Sequence, residues 1–183
     1  MSNRLAVMQA GRIEQVGTPQ DVYESPATTF VAGFLSAANV LDVEVVGQST
    51  NRVSCRLGPD TVEAAGSCAS SMAKIVVRPE RVALCSVTSD GTRPANALRG
   101  VVERVTFLGP ATQVALRLDG GHLLLASFPN TSEAASRSYP VGEQVWASVA
   151  PDAIRLLVDD PSDVVPDDAD DALAGADGSG HAG

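Results

Sequence analysis

From residue 40 onward, apolar positions come in short alternating runs separated by turn residues. RVSCRL at 52–57 places Val53, Cys55 and Leu57 on one face and Arg52, Ser54 and Arg56 on the other. That alternation is the period of a half-buried strand. Similar runs lie at 40–46, 61–64, 74–77, 81–85, 98–108, 112–118, 122–128, 143–149 and 153–158. Asp119-Gly120-Gly121 is strong hairpin chemistry, because glycine accepts the positive φ such turns need. Many short strands with regular turns predict a small barrel or sandwich.

The first forty residues read differently. LAVM and RIEQV flank Gln9-Ala10-Gly11, so residues 4–16 predict a hairpin. TPQD follows. Thr18 is an N-cap, Pro19 suits the first helical position, and Asp21 has capping-box spacing. Ser25-Pro26 ends that helix. Thr28 or Thr29 caps a second, in which Phe30, Val31, Phe34 and Leu35 share one face. With Val22 and Tyr23 of the first helix, that face is expected to dock on another surface.

An internal repeat is visible. VRPERVAL at 77–84 aligns with VAPDAIRL at 149–156, an offset of 72 residues. VSCRLGPDTV at 53–62 aligns with VALRLDGGHL at 114–123, an offset of 61. The order is the same in both halves. The extra residues of the second half fall in FPNTSEAASRSYPVGE. Two related β-modules follow, each ending in strand, turn, strand.

Composition adds boundaries. The chain has 183 residues, 44% hydrophobic but 4% aromatic, so any core is built from Val, Leu, Ile and Ala. The net charge is −9, and residues 159–183 hold eight Asp with no Lys or Arg. The low pI therefore belongs to the tail, which is expected to be disordered and acidic. The domain reading is 1–39 for hairpin and helical linker, 40–158 for the β-domain and 159–183 for the tail. A near-neutral body offers no basic footprint for nucleic acid. No apolar run reaches the roughly 18 residues that span a bilayer. Arg4 precedes too short an apolar group for a signal peptide, so a cytoplasmic location is expected.

Catalytic signatures are not found. Lys74 is the one lysine and no Gly-Lys pair exists, so there is no phosphate-binding loop. There is no G-x-S-x-G elbow, and His122 and His181 form no triad. Cys55, Cys68 and Cys85 lack metal-ligand spacing and read as small buried hydrophobes or tolerated thiols. Neither a catalytic residue nor a metal site is expected. Arg78-Pro79-Glu80-Arg81 is the most pointed polar cluster. It reads either as a structural turn with a local ion pair or as a contact to a ligand or partner. Ala150 and Ala153 in the second module show that the turn itself does not require the arginines.

SNRLAVMQAGRIEQVGTPQDVYESPATTFVAGFLSAANVL resembles the segment after the switch histidine in ATP-binding subunits of ABC importers of the spermidine/putrescine, ferric-iron and maltose group. Ala6, Val7, Met8, Gly11, Ile13, Gln15, Gly17, Pro19, Tyr23, Pro26, Phe30, Phe34 and Asn39 fall on the family pattern, whereas Asn3 and Ser36 depart from it. IVVRPERVAL and GVVERVTFLGPATQVALRLDGG resemble later signatures of that family. The resemblance implies a mainly β fold: an OB-like, TOBE-type barrel of two related β-modules, preceded by a hairpin and two short helices. It implies a regulatory and dimerisation role. Its partners would be an ABC nucleotide-binding domain, that domain's dimer mate and, indirectly, membrane permeases at the inner face of the membrane. The face of Val22, Tyr23, Phe30, Val31, Phe34 and Leu35 would dock on the nucleotide-binding domain. That domain's ATP- and Mg-binding motifs would all precede Met1, so no residue here is expected to bind ATP or Mg. The alternatives are a free-standing binder of an oxyanion or metabolite, contacted by Arg78, Glu80 and Arg81, and a truncated fragment without function.

Overall fold

The computed structural model describes residues 3–35, 37–87, 92–131 and 139–157. Strands β1 (Leu5–Gln9) and β2 (Arg12–Gly17) form the expected hairpin, with Ala10 and Gly11 at positive φ in its turn. Helix α1 (Pro19–Glu24) begins at a complete capping box. The Thr18 hydroxyl accepts from the Asp21 N–H, and the Asp21 carboxylate accepts from the Thr18 N–H. Helix α2 (Thr29–Leu35) follows the break at Pro26, and the Thr28 hydroxyl accepts from the Val31 N–H.

All ten alternating runs after residue 40 coincide with strands. They are β3 (Asn39–Ser49), β4 (Arg52–Leu57), β5 (Asp60–Ala65), β6 (Met72–Val77), β7 (Val82–Ser86), β8 (Ala97–Phe107), β9 (Ala111–Leu118), β10 (Leu123–Pro129), β11 (Gln144–Val149) and β12 (Ile154–Leu157). They make two five-stranded antiparallel sheets, ordered β12-β6-β3-β4-β5 and β10-β9-β8-β11-β7. Read as modules, β3–β7 and β8–β12 repeat the same plan, but each gives its last strand to the other. β7 pairs with β11, and β12 pairs with β6. A single 3₁₀ turn makes each crossing, Pro79–Arg81 in the first module and Pro151–Ala153 in the second.

The repeat read from sequence is therefore a strand exchange. Val77 pairs with Ile154 as Val149 pairs with Val82, which reproduces the offset of 72. One continuous core joins the inner faces, with Val53, Cys55, Ile75, Leu116, Leu124 and Val145 almost fully buried. Burial pushes the Cys55 thiol up to about 11, with Cys68 and Glu63 adding to the rise. At neutral pH it is an inert core group.

Two asparagines close the structure reciprocally. The Asn39 amide donates to the Leu125 carbonyl at 2.8 Å, and its oxygen accepts from the Leu125 N–H at 2.7 Å. The Asn96 amide donates to the Glu63 carbonyl at 3.0 Å, and its oxygen accepts from the Glu63 N–H at 2.5 Å. Each asparagine begins its own module and satisfies the backbone of the other module's third strand. The sheet turns also meet, with Gly58 of the β4–β5 turn lying against Gly120 of the β9–β10 turn.

That contact generates a prediction. A Cβ on Gly58, at φ +60°, would stand 2.5 Å from the Gly120 Cα, whereas one on Gly109, at φ +82°, meets nothing within 4 Å. Gly109→Ala should cost only left-handed strain, about 1 kcal/mol. Gly58→Ala should cost roughly 2–4 kcal/mol, because strain and backbone overlap combine. Urea unfolding of the two variants measures the difference, and equal midpoints would refute the close approach.

Candidate functional site

The residues singled out in the sequence meet where α1 and α2 lie on the barrel, but they do different work there. Arg78 precedes the 3₁₀ turn that carries the chain out of β6, and it is buried. Its guanidinium donates to the Ala32 carbonyl at 2.8 Å and to the Tyr23 carbonyl at 2.6 Å. Both carbonyls lie near helix C-termini, where peptide oxygens lack intrahelical donors. Arg78 thus satisfies α1 and α2 with one planar fork, in line with the favourable placing of a cation at a helix C-terminus. The same guanidinium lies 4.1 Å from the centre of the Tyr23 ring. The Tyr23 hydroxyl donates to the Glu80 carboxylate.

Arg81 is exposed and carries none of these linker contacts. A groove of about 1060 Å³ runs beside the cluster, and Tyr23, Arg78, Glu80, Arg81, Asp152 and Arg155 are among the residues that line it. Among the described residues, no group of three or more His, Cys, Asp or Glu side chains is arranged to hold a metal.

The apolar residues expected to face outward are divided. Val22 and Val31 are fully buried with Val7, and Leu5, Phe30 and Leu35 pack against them. This small core lies between the helices and the inner face of the hairpin. Ala32 and Ala38 make a second, smaller contact with Val76 and Leu157 of the barrel. Phe34 remains 60% exposed. The outer face of the hairpin is apolar as well, although the sequence reading did not single it out. Met8 and Ile13 are cross-strand partners, 53% and 61% exposed, and Val16, opposite Ala6, is 45% exposed. The signal lay in LAVM, both of whose faces are apolar, and in Ile13 and Val16. A strand covered on only one side would alternate apolar with polar.

The two arginines should separate cleanly in a test. Arg78→Ala removes two charge-assisted hydrogen bonds and leaves two helix-end carbonyls without that donor, a loss of roughly 2–4 kcal/mol in the hold on the helices. Limited proteolysis should then cut the 24–29 segment faster, whereas Arg81→Ala should cleave at the wild-type rate. Equal rates for both variants would show that Arg78 does not hold the helices.

Comparison with known proteins agrees with this architecture. Residues 75–157 match the TOBE domain family. The chain is 36% identical over 162 residues to the spermidine/putrescine import ATP-binding protein PotA of Thermobifida fusca, covering 86% of this chain and 41% of that protein. It is 33% identical over 164 residues to PotA 1 of Pseudomonas aeruginosa, covering 87% and 42%. It is 34% identical over 179 residues to PotA of Acidothermus cellulolyticus, covering 92% and 44%. The chain thus spans well under half the length of these relatives. Among solved structures, it is similar to the molybdate-bound form of the cytoplasmic molybdate-binding protein ModG. The TM-score is 0.55 at 23% identity, covering 68% of this chain and 99% of that one, which is a likeness of fold. The exchanged double module is accordingly a TOBE-type, OB-like barrel, and the chain resembles the TOBE-bearing C-terminal portion of ATP-binding subunits of spermidine/putrescine ABC importers.

Proposed function

We propose that this chain acts as a regulatory and dimerisation unit of an ABC importer ATP-binding subunit, working against a nucleotide-binding domain. Assembled with its permeases, that complex would sit at the cytoplasmic face of the membrane. The observation that carries this reading is the hairpin β1–β2. A two-stranded ribbon is marginal by itself, and this one exposes apolar side chains on its outer face while Leu5 and Val7 pack inward. Its inner face packs on α1 and α2, whereas Met8, Ile13 and Val16 of the outer face are exposed, as is Phe34 of α2. The similarity to ATP-binding subunits supports a nucleotide-binding domain as the partner that would cover this outer face and Phe34.

The barrel offers a feature suited to the dimer mate. The β8–β9 hairpin projects with Val105, Phe107 and Leu108 exposed, Phe107 at 74%. Asn130 braces its tip. The Asn130 N–H donates to the Pro110 carbonyl, its amide donates to the Gly109 carbonyl, and its side-chain oxygen accepts from the Thr112 hydroxyl. The corresponding hairpin of the first module, between β3 and β4, ends in Gln48, Ser49, Thr50 and Asn51. Two corresponding tips, one polar and one apolar, suit a contact made by only one of them.

A second reading rests on the groove. Arg81 and Arg155 line it together with Arg78, beside the acids Glu24, Glu80 and Asp152, and a small anion held by the exposed arginines is the ligand class it would take.

Two measurements decide between these readings. Co-expressed with the nucleotide-binding domain of a relative such as the Thermobifida fusca protein, the full chain should co-purify with it. Met8→Glu with Ile13→Glu should abolish that association and reduce self-association of the isolated chain, while a Thr61→Glu control on the barrel should not. Failure of the wild type to associate would overturn the first reading. Calorimetry of the full chain with molybdate, sulfate, phosphate and spermidine tests the second. Heat with an anion that disappears in Arg81→Ala is the result it requires, and no heat with any of them would remove it.

A further inference from the structure

Two bodies can be distinguished within the chain by what packs on what. The hairpin and both helices share the core of Val7, Val22 and Val31, and two further bonds tie them together. Gln15 donates to the Ser25 carbonyl at 3.0 Å and accepts from the Ala27 N–H at 2.8 Å. The barrel has its own separate core, to which none of the hairpin or helix residues contributes.

The seam between these bodies is thin. Its apolar part is Ala32 and Ala38 against Val76 and Leu157. On the linker side of this contact only small alanine side chains take part. The polar contacts described across the seam converge on one turn: Arg78 to the Tyr23 and Ala32 carbonyls, Arg78 over the Tyr23 ring, and Tyr23 to Glu80. The groove of about 1060 Å³ opens directly beside that turn, so neighbouring side chains do not pack the latch in from this side.

We propose that residues 3–35 form a rigid arm lying on the barrel, and that the Arg78–Pro79–Glu80 turn is the latch that fixes its angle. Releasing the latch swings the arm without unfolding either body. The second module shows that the fold does not need the latch. Ala150 occupies the position of Arg78 there, and the turn Pro151–Ala153 keeps the same geometry. Arg78 is therefore a positioning residue for the arm, placed in only one of two equivalent turns. This inference concerns the chain alone and does not depend on the reading given above.

Spin-label distance measurements on the full chain test it, in a Cys85→Ser background whose remaining cysteines are buried. One label pair spans the seam, Gln20→Cys with Thr61→Cys. A second pair lies within the barrel, Thr61→Cys with Ala83→Cys. All three positions are exposed. With Arg78 intact, both pairs should give one narrow distance. Arg78→Gln should broaden the seam distribution by at least about twofold while leaving the barrel pair unchanged. Glu80→Gln should broaden it less, and Arg78→Lys should recover part of the narrowing because one donor returns. An unchanged seam distribution in Arg78→Gln would overturn the latch. Broadening of both pairs would also overturn it, by showing that Arg78 holds the barrel itself together. The Glu80→Gln variant leaves the buried guanidinium in place, so it still reads the latch if Arg78→Gln fails to fold.

Discussion

The turns Pro79–Arg81 and Pro151–Ala153 carry the chain from one sheet into the other, and the barrel depends on that exchange. Each sheet takes four strands from one module and its last strand from the other. Neither module can therefore complete its hydrogen-bond ladder alone. An incomplete sheet leaves an edge with unpaired N–H and C=O groups, and here the partner module covers it. Proline suits both crossings. Its ring fixes φ for the first residue of the 3₁₀ turn, and the donor it lacks is one that no ladder needs there.

The asparagine clasps follow from the same constraint. β5 and β10 end their respective sheets and would otherwise show open backbone at mid-strand. Asn39 and Asn96 present a side-chain amide that mimics a peptide group, with a donor and an acceptor at strand spacing. Each completes the exposed side of a strand from the other module. The exchange brings the strands together, the clasps stop the edges from opening, and Gly58 against Gly120 lets the backbones approach where a side chain would prop them apart.

Much of this was legible in the sequence, and the limits have physical causes. Short apolar runs located all ten barrel strands, and strands such as β4 and β11 alternate because one face is buried and the other is not. The capping box at Thr18 and Asp21 was readable because its chemistry is local. The repeat was readable from V-x-P-acid-x-aliphatic-x-L, but the exchange of β7 and β12 was not, since a strand's sequence does not say which sheet accepts it. Asn96 passed unnoticed because a single asparagine before a strand looks like any loop residue. Its role exists only in relation to distant residues, Glu63 and Val149. Arg78 and Arg81 looked alike as neighbours in RPER, yet one is buried under the helices and the other is open. Val22 and Val31 read as a docking face because amphipathicity shows that a face must be covered and is silent about what covers it. The hairpin at hand covers them.

Arg78 shows how duplication separates structure from function. Where two modules share a backbone, a residue that the fold requires tends to recur at both equivalent positions. Asn39 and Asn96 recur, as do Pro79 and Pro151, and Glu80 has Asp152 opposite. Arg78 faces Ala150, and Phe107 and Leu108 face Thr50 and Asn51. The barrel closes equally well on both sides of these differences, so closure does not explain them. They lie instead where something else meets the barrel: the arm at Arg78, and open solvent at Phe107. An apolar tip that is held rigid by Asn130 loses little further entropy when it docks, which favours a contact of modest area. The first module's tip is polar and is tied to its own module, where the Gln48 side chain accepts from the Cys68 N–H.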